Sequence, residues 1–217
     1  MVQVYAVDAD KLPDPKEYPE VLTGLTKERR EKAVRYLRPG DRKRSLGAGM
    51  LLREVLPRYG VSPEHICLGV NGKPQVEGLW FNLSHSGGWA VCAVGRKPVG
   101  CDVERIARAP KRVAERFFHR NEAAYLRRCR DGERDSVFYR FWTMKESYMK
   151  MTGEGMRLSF DSIEFSIEAE PVQVLRDGKA LSCHIREYGL PGYQVSVCAE
   201  EERFGENIEI IDFTGIG

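Results

Sequence analysis

The period of apolar positions changes several times along this chain. Over residues 2–8, Val2, Val4 and Ala6 alternate with Gln3 and Tyr5, the period of two that predicts a strand. From Thr26 onward the spacing lengthens to that of a helix, with Thr26 as its N-cap, Ala33, Val34 and Leu37 on its core face, and Pro39-Gly40 ending it. A second helix is expected from Asp41 as cap, through Leu46, Met50, Leu51, Val55 and Leu56, to a stop at Tyr59-Gly60. Beyond Ile66 short apolar runs alternate with turn signals. Val70-Asn71-Gly72-Lys73-Pro74 precedes runs at 81–84, 89–94 and 99–104, which predict an antiparallel meander with Gly95-Arg96-Lys97-Pro98 as its last hairpin turn. Helices are expected at 111–118, 122–128 and 137–151, and strands at 163–167, 172–175, 184–188 and 193–199.

The order strand, helices, sheet thus occurs twice. Gly88-Trp89-Ala90-Val91-Cys92-Ala93 even echoes Gly192-Tyr193-Gln194-Val195-Ser196-Val197, although two half-buried strands can look alike by chance. The pattern predicts an α+β fold of two stacked halves, 1–104 and 105–217, with the seam at 103–110.

Composition narrows the classes. With 217 residues, 42% apolar and 30% charged, the chain can bury a real core, so disordered and fibrous classes are excluded. Thirty-four basic against 32 acidic residues leave a charge of +2, too balanced for a general polyanion binder, so any anion must meet a local cluster. The first residues lack a basic flank and an apolar core, and the longest apolar runs are strand-sized, so neither secretion nor a membrane span is expected. Six scattered cysteines without a C-x-x-C pair read as small buried hydrophobes in a reducing cytoplasm.

Three segments carry candidate chemistry. In Gly100-Cys101-Asp102-Val103-Glu104 the period of a strand puts Asp102 and Glu104 on one face, where two carboxylates make either a solvated edge or a hard-cation site. In the helix around Trp142, Glu146 and Lys150 lie one turn apart beside an apolar stripe of Phe138, Phe141, Trp142, Met144, Tyr148 and Met149. Lys145 falls among those aromatics, where an ammonium needs a partner: it either snorkels to the surface or meets a phosphate. Third, Ser84-His85-Ser86-Gly87-Gly88 offers hydroxyls, an imidazole and free amides in one turn, which suits an anion, and Lys73, Arg29, Lys32 and Arg44 are cations that folding could bring beside it. The strand-turn-helix setting of a serine nucleophile elbow is missing.

Taken in order, Gly72-Lys73-Pro74, Phe81-Asn82-Leu83-Ser84-His85-Ser86, Gly100-Cys101-Asp102-Val103-Glu104 and Trp142-Thr143-Met144-Lys145-Glu146-Ser147-Tyr148-Met149-Lys150 resemble the motifs of the Sfp-type 4′-phosphopantetheinyl transferases. Weaker likenesses at 29–44 and at Arg116-Phe117-Phe118 extend the match over nearly the whole chain, with two departures: Ser147 where alanine is frequent, and His119-Arg120-Asn121-Glu122 in place of a Ser/Thr capping box, leaving Asn121 as the expected cap. The resemblance implies a monomeric pseudo-dimer of two α+β halves related by a pseudo-twofold, with coenzyme A and magnesium in the cleft between them. It implies Asp102, Glu104 and Glu146 as magnesium ligands, and Lys150 with Lys145 at the pyrophosphate. Gly72, Lys73 and Pro74 would lie at the adenine edge, and Arg29, Lys32, Arg44 and His85 about the 3′-phosphate with Ser84 beside them.

The implied reaction is attack by a serine hydroxyl of an apo acyl or peptidyl carrier protein on the β-phosphate of coenzyme A, releasing 3′,5′-ADP. Glu146, or a water it orients, is the first choice of base and Glu104 the second, and the sequence does not separate them; Lys150 would stabilise charge on the transferring group. The carrier, whether of fatty acid, polyketide or nonribosomal peptide biosynthesis, is expected at the 152–156 loop, where Met151, Met156 or Leu158 could offer an apolar contact. The rivals are a magnesium-dependent coenzyme A pyrophosphate hydrolase and a nucleotide- or nucleic-acid-binding module using Arg127, Arg128 and Arg130.

Overall fold

The computed structural model describes residues 1–69, 72–130 and 132–215. In chain order it contains β1 (Gln3–Asp8), α1 (Lys27–Arg35), α2 (Pro39–Val55), β2 (Cys67–Leu68), β3 (Pro74–Gln75), β4 (Trp80–Ser86), β5 (Trp89–Gly95) and β6 (Val99–Arg105). There follow α3 (Lys111–Phe117), α4 (Arg120–Arg128), α5 (Arg134–Thr152), β7 (Ile163–Ser166), β8 (Gln173–Arg176), β9 (Lys179–Ala180), β10 (His184–Leu190), β11 (Tyr193–Ala199) and β12 (Glu209–Ile210). One sheet has the order β12-β1-β5-β4 and another β10-β11-β6, with β2-β3 and β7-β8-β9 as smaller sheets. Val70 and Asn71, which open the expected turn before Lys73, lie outside the described residues.

The two main sheets pack face to face and helices cover their outer sides, a layered mixed helix and sheet fold. Val4, Ala6, Val91 and Ala93 of the first sheet share a core with Cys101, Val103, Val195 and Val197 of the second. On the opposite side Tyr5, Val7, Ala90 and Cys92 pack with Leu46, Met50 and Leu51 of α2. Tyr5, expected on a polar face, is therefore buried, its hydroxyl 2.8 Å from that of Tyr59. α5 lies on β6 and β11 so closely that a Cβ at Gly100 would collide with backbone atoms of Ser147, Lys150 and Met151. Gly100 thus lets the helix that carries Glu146 and Lys150 descend onto the strand that carries Asp102 and Glu104.

Several local expectations are corrected. Thr26 does cap α1, accepting the Arg29 amide, but the helix ends at Arg35 and Leu37 is 90% exposed in the connection. Pro39 starts α2 instead of ending α1, because its missing N–H costs nothing at a first helical position, and Asp41 lies in the first turn paired with Arg44. Residues 95–98 make no hairpin. They carry the chain from the first sheet to the second, where β6 pairs with β11, so β6 leaves the sheet of the half to which the sequence pattern assigned it. His119, not Asn121, caps α4, reciprocated by Glu122 in a capping box. All six cysteines are free, and among the described residues no helix is long and apolar enough to cross a membrane.

Lys145 is turned away from the cleft, contrary to its expected place at the pyrophosphate. Its Nζ donates to the carbonyls of Phe160 and Ile163 at 2.6 Å each and meets Glu122 at 2.8 Å, over the rings of Phe118 and Phe165. Burial presses both partners toward their neutral forms, and their contact opposes that push. The lysine the stripe could not explain is a core strut whose partner lies 23 residues upstream in α4.

Two outcomes follow from this packing. Gly100→Ala should cost about 2 kcal/mol or more in urea unfolding, because the colliding atoms are backbone and cannot rotate away; an unchanged midpoint would refute the close approach. Lys145→Ala should cost about 3–5 kcal/mol by stranding Glu122, and pairing Lys145→Met with Glu122→Gln should cost clearly less; equal losses would show that the two groups do not interact.

Candidate active site

β4 and β6 are facing edges of different sheets, and side chains join them. Asn82 Oδ1 accepts the Cys101 amide at 3.0 Å, Ser84 Oγ the Val103 amide at 3.3 Å, and Ser86 Oγ the Arg105 amide at 3.2 Å. Alternate residues on one strand thus meet alternate amides on the other, as the shared period of two dictates. The same serines donate onward, Ser84 to Asp102 Oδ1 at 2.8 Å and Ser86 to Glu104 Oε2 at 2.7 Å. Ser84, expected beside the 3′-phosphate group, is therefore turned to the carboxylates.

From α5, Lys150 Nζ reaches Asp102 Oδ1 at 2.6 Å and Ser84 Oγ at 3.1 Å. Asp102 is 3% exposed, and its other oxygen, Oδ2, is buried with no hydrogen-bond partner. Burial pushes the carboxyls of Asp102, Glu104 and Glu146 up, and the Asp102 charge pushes further on the other two. Burial works against the Lys150 charge, yet Asp102 holds the ammonium above its ordinary value. One cation thus stands near three carboxylates, of which Asp102 raises the other two. Among the described residues no group of three such side chains is drawn together tightly enough to hold a metal ion as it stands. Even so, the orphaned oxygen and the all-oxygen donors fit a hard divalent cation, which would relieve the repulsion.

A cleft of about 670 Å³ opens beside Glu146 and Lys150. Phe117, Trp142, Met149, Leu158 and Phe160 form its apolar wall, Gly153 and Gly155 its far edge, and Lys73, Pro74 and Asn82 the side toward the first sheet. Lys73 Nζ crosses to the Lys150 carbonyl at 2.5 Å. Gly72, at φ +71°, shapes the turn before it.

Pro74 and Asn82 also border a smaller cavity of about 150 Å³ lined by Arg29, Lys32, Ser45 and His85. Arg29 spends Nη2 on the Ser45 carbonyl at 2.8 Å, while Arg29 Nε and the Ser45 hydroxyl are buried without partners. Burial lowers the affinity of Arg29 and Lys32 for their protons, and Lys32 also feels Arg29 and Arg35. His85 is exposed at the rim, yet crowding by surrounding atoms and the charges of Arg44, Lys150 and Lys32 hold its imidazole below its ordinary value. Unpaired donors and repelling cations around one cavity call for an anion. Arg44 does not line the cavity; it is bonded to the Gly87 carbonyl and to Asp41, near enough for its charge to reach His85.

Of the expected residues, the structure gathers Arg29, Lys32 and His85 at one pocket, Lys73 and Pro74 at the junction, and Asp102, Glu104, Glu146 and Lys150 at the seam. Sequence reasoning missed Ser45, whose only signal is a lone hydroxyl opening the buried run of α2, and missed the second role of Asn82 and Ser86, which needs the position of a strand in another sheet.

Residues 98–198 match the model of the 4′-phosphopantetheinyl transferase superfamily. A 4′-phosphopantetheinyl transferase of Bacillus subtilis is 34% identical over 96% of this chain and 97% of its own length. The transferase Sfp of Bacillus subtilis strain 168 is 30% identical over 98% of each chain, and the transferase gsp of Aneurinibacillus migulanus 35% identical over 82% of this chain and 77% of its own. With the four motifs meeting at one cleft and relatives matched from end to end, the chain belongs to the Sfp-type 4′-phosphopantetheinyl transferases.

Proposed function

We propose that the cleft binds coenzyme A with its 3′-phosphate in the Arg29–Lys32–Ser45–His85 pocket and its pyrophosphate at the seam, and that the acidic trio there holds magnesium. The observation that carries this reading is a pairing of opposite deficits, one in the small basic cavity and one at the seam, on either side of the shared Pro74 and Asn82 border. Donors lack an acceptor in the basic pocket, and a buried carboxylate oxygen lacks a partner at the seam. A diphosphate with a further phosphate, together with a divalent cation, meets both.

In this reading Asp102, Glu104 and Glu146 supply the metal's oxygen ligands. When bound, magnesium would supply Lewis acidity across the pyrophosphate. Lys150, on its flexible side chain, would shift from Asp102 to the oxygens of the transferring phosphoryl group. Lys73 and Pro74 would border the adenosine, and the apolar wall of Phe117, Trp142 and Phe160 would exclude water from the pantetheine side. A carboxylate oxygen of Glu146, or of Glu104 as second choice, would take the proton from the carrier serine. The serine oxygen then bonds to the β-phosphorus while the bond to 3′,5′-ADP breaks, and that leaving group keeps the electron pair.

The carrier would reach the mouth lined by Gly153, Gly155 and Leu158; the Met156 side chain, also considered for that contact, lies outside the described residues. The reading takes the chain as a monomer of two similar halves, in a reducing cytoplasm that suits six free thiols.

With coenzyme A, magnesium and an apo carrier, the protein should add one phosphopantetheine arm to the carrier by mass; phosphoryl transfer to water alone would favour the hydrolase instead. Asp102→Ala should slow transfer about a hundredfold or more and abolish the magnesium-dependent rise in thermal midpoint. A retained rise would remove Asp102 from the metal site. Lys32→Ala should raise KM about fivefold for coenzyme A and leave KM for 3′-dephospho-coenzyme A unchanged, since only the former carries the charge Lys32 would meet. Equal shifts for both would move the 3′-phosphate elsewhere.

A further inference from the structure

Ser86 sits at the end of β4, half-buried, with both sides of its hydroxyl engaged. Its lone pair accepts the Arg105 amide at 3.2 Å and its proton goes to Glu104 Oε2 at 2.7 Å. A hydroxyl rotates freely until its acceptor side is taken. Here the amide of the residue after Glu104 takes it, leaving the proton directed at the Glu104 carboxylate. Ser84 does the same two residues earlier, accepting from Val103 and donating to Asp102. The two carboxylates differ in their other support. Asp102 also has Lys150, whereas among the described residues Ser86 is the one hydrogen-bond donor to the Glu104 carboxylate.

We propose that Ser86 is a positioning residue: by tethering Glu104 through Oε2 it restricts the carboxylate, so that a divalent cation taken with Asp102 and Glu146 meets an arranged ligand. This rests on the reading of the trio as a metal site. Carboxylates that repel one another swing apart when nothing holds them, and Glu has three side-chain torsions with which to do so. The Ser86 bond spends that freedom during folding, before the ion arrives. The role is separable from fold maintenance because Arg105 is exposed, so water can replace the hydroxyl as acceptor for its amide once Ser86 is truncated.

The test titrates Mg²⁺ and Mn²⁺ against wild type, Ser86→Ala and Ser86→Thr, following the metal-dependent rise in thermal midpoint, free Mn²⁺ by electron paramagnetic resonance, and carrier modification. Ser86→Ala should match the wild-type midpoint in EDTA and need about fivefold more metal for half-saturation in all three readouts, with turnover at saturating metal within twofold of wild type. Ser86→Thr, which keeps the hydroxyl, should restore the wild-type titration. An unchanged titration in Ser86→Ala, a loss of turnover that metal does not recover, or no rescue by threonine would overturn the positioning role. Absence of any metal response in the wild type would instead overturn the metal site itself, and this proposal with it.

Discussion

Two sheet edges that do not pair with each other hold this molecule's site together. Backbone pairing of β4 and β6 would have brought them to about 4.8 Å and consumed the edge amides in a ladder. Instead Asn82, Ser84 and Ser86 stand between the strands and accept the amides of Cys101, Val103 and Arg105. Serine and asparagine act as spacers that satisfy an edge without closing it. Their period of two sets the register between Ser84-His85-Ser86 and Asp102-Val103-Glu104, and the serine protons then fall on the two carboxylates. Gly100 completes the arrangement by letting α5 lie on β6. Glu146 and Lys150 are brought to the same seam from a third direction.

The near-neutral total charge hides a sharp division. At the seam a buried Asp102 lies near the half-buried Glu104, Glu146 and Lys150, while on β4, between the two serines that hold those carboxylates, His85 joins Arg29 and Lys32 around a basic cavity. Each group is poorly satisfied alone. Burial makes the mismatch costly, and that cost is what a phosphate-bearing ligand with a divalent cation would relieve. Phe117, Trp142 and Phe160 give the cleft beside Glu146 and Lys150 an apolar wall.

What was legible in the sequence follows from how local each signal is. Asp102 and Glu104 share a face because any strand would place them so, and Glu146 and Lys150 share one because any helix would. The four motifs in order identified the family, and the comparisons agree. What stayed hidden depended on distant partners. Lys145 stood out as a charge in an apolar stripe, but only the fold puts Glu122 against it. Gly95-Arg96-Lys97-Pro98 has hairpin chemistry, yet β6 gains more by joining β11, where it buries Val99, Cys101 and Val103 between the sheets. Leu37 fitted a helical face that ends two residues too early. Ser45 carried no signal beyond its own hydroxyl.

The proposed site requires Asp102, Glu104 and Glu146 to converge on one divalent ion once coenzyme A supplies its phosphates. Anomalous diffraction from crystals grown with Mn²⁺ and coenzyme A locates that ion. One strong peak is expected at about 2.1–2.2 Å from oxygens of all three carboxylates, Asp102 Oδ2 among them, with Lys150 moved onto a phosphate oxygen. A manganese peak elsewhere on the bound coenzyme A, with Lys150 still on Asp102 and Oδ2 without a ligand, would contradict it.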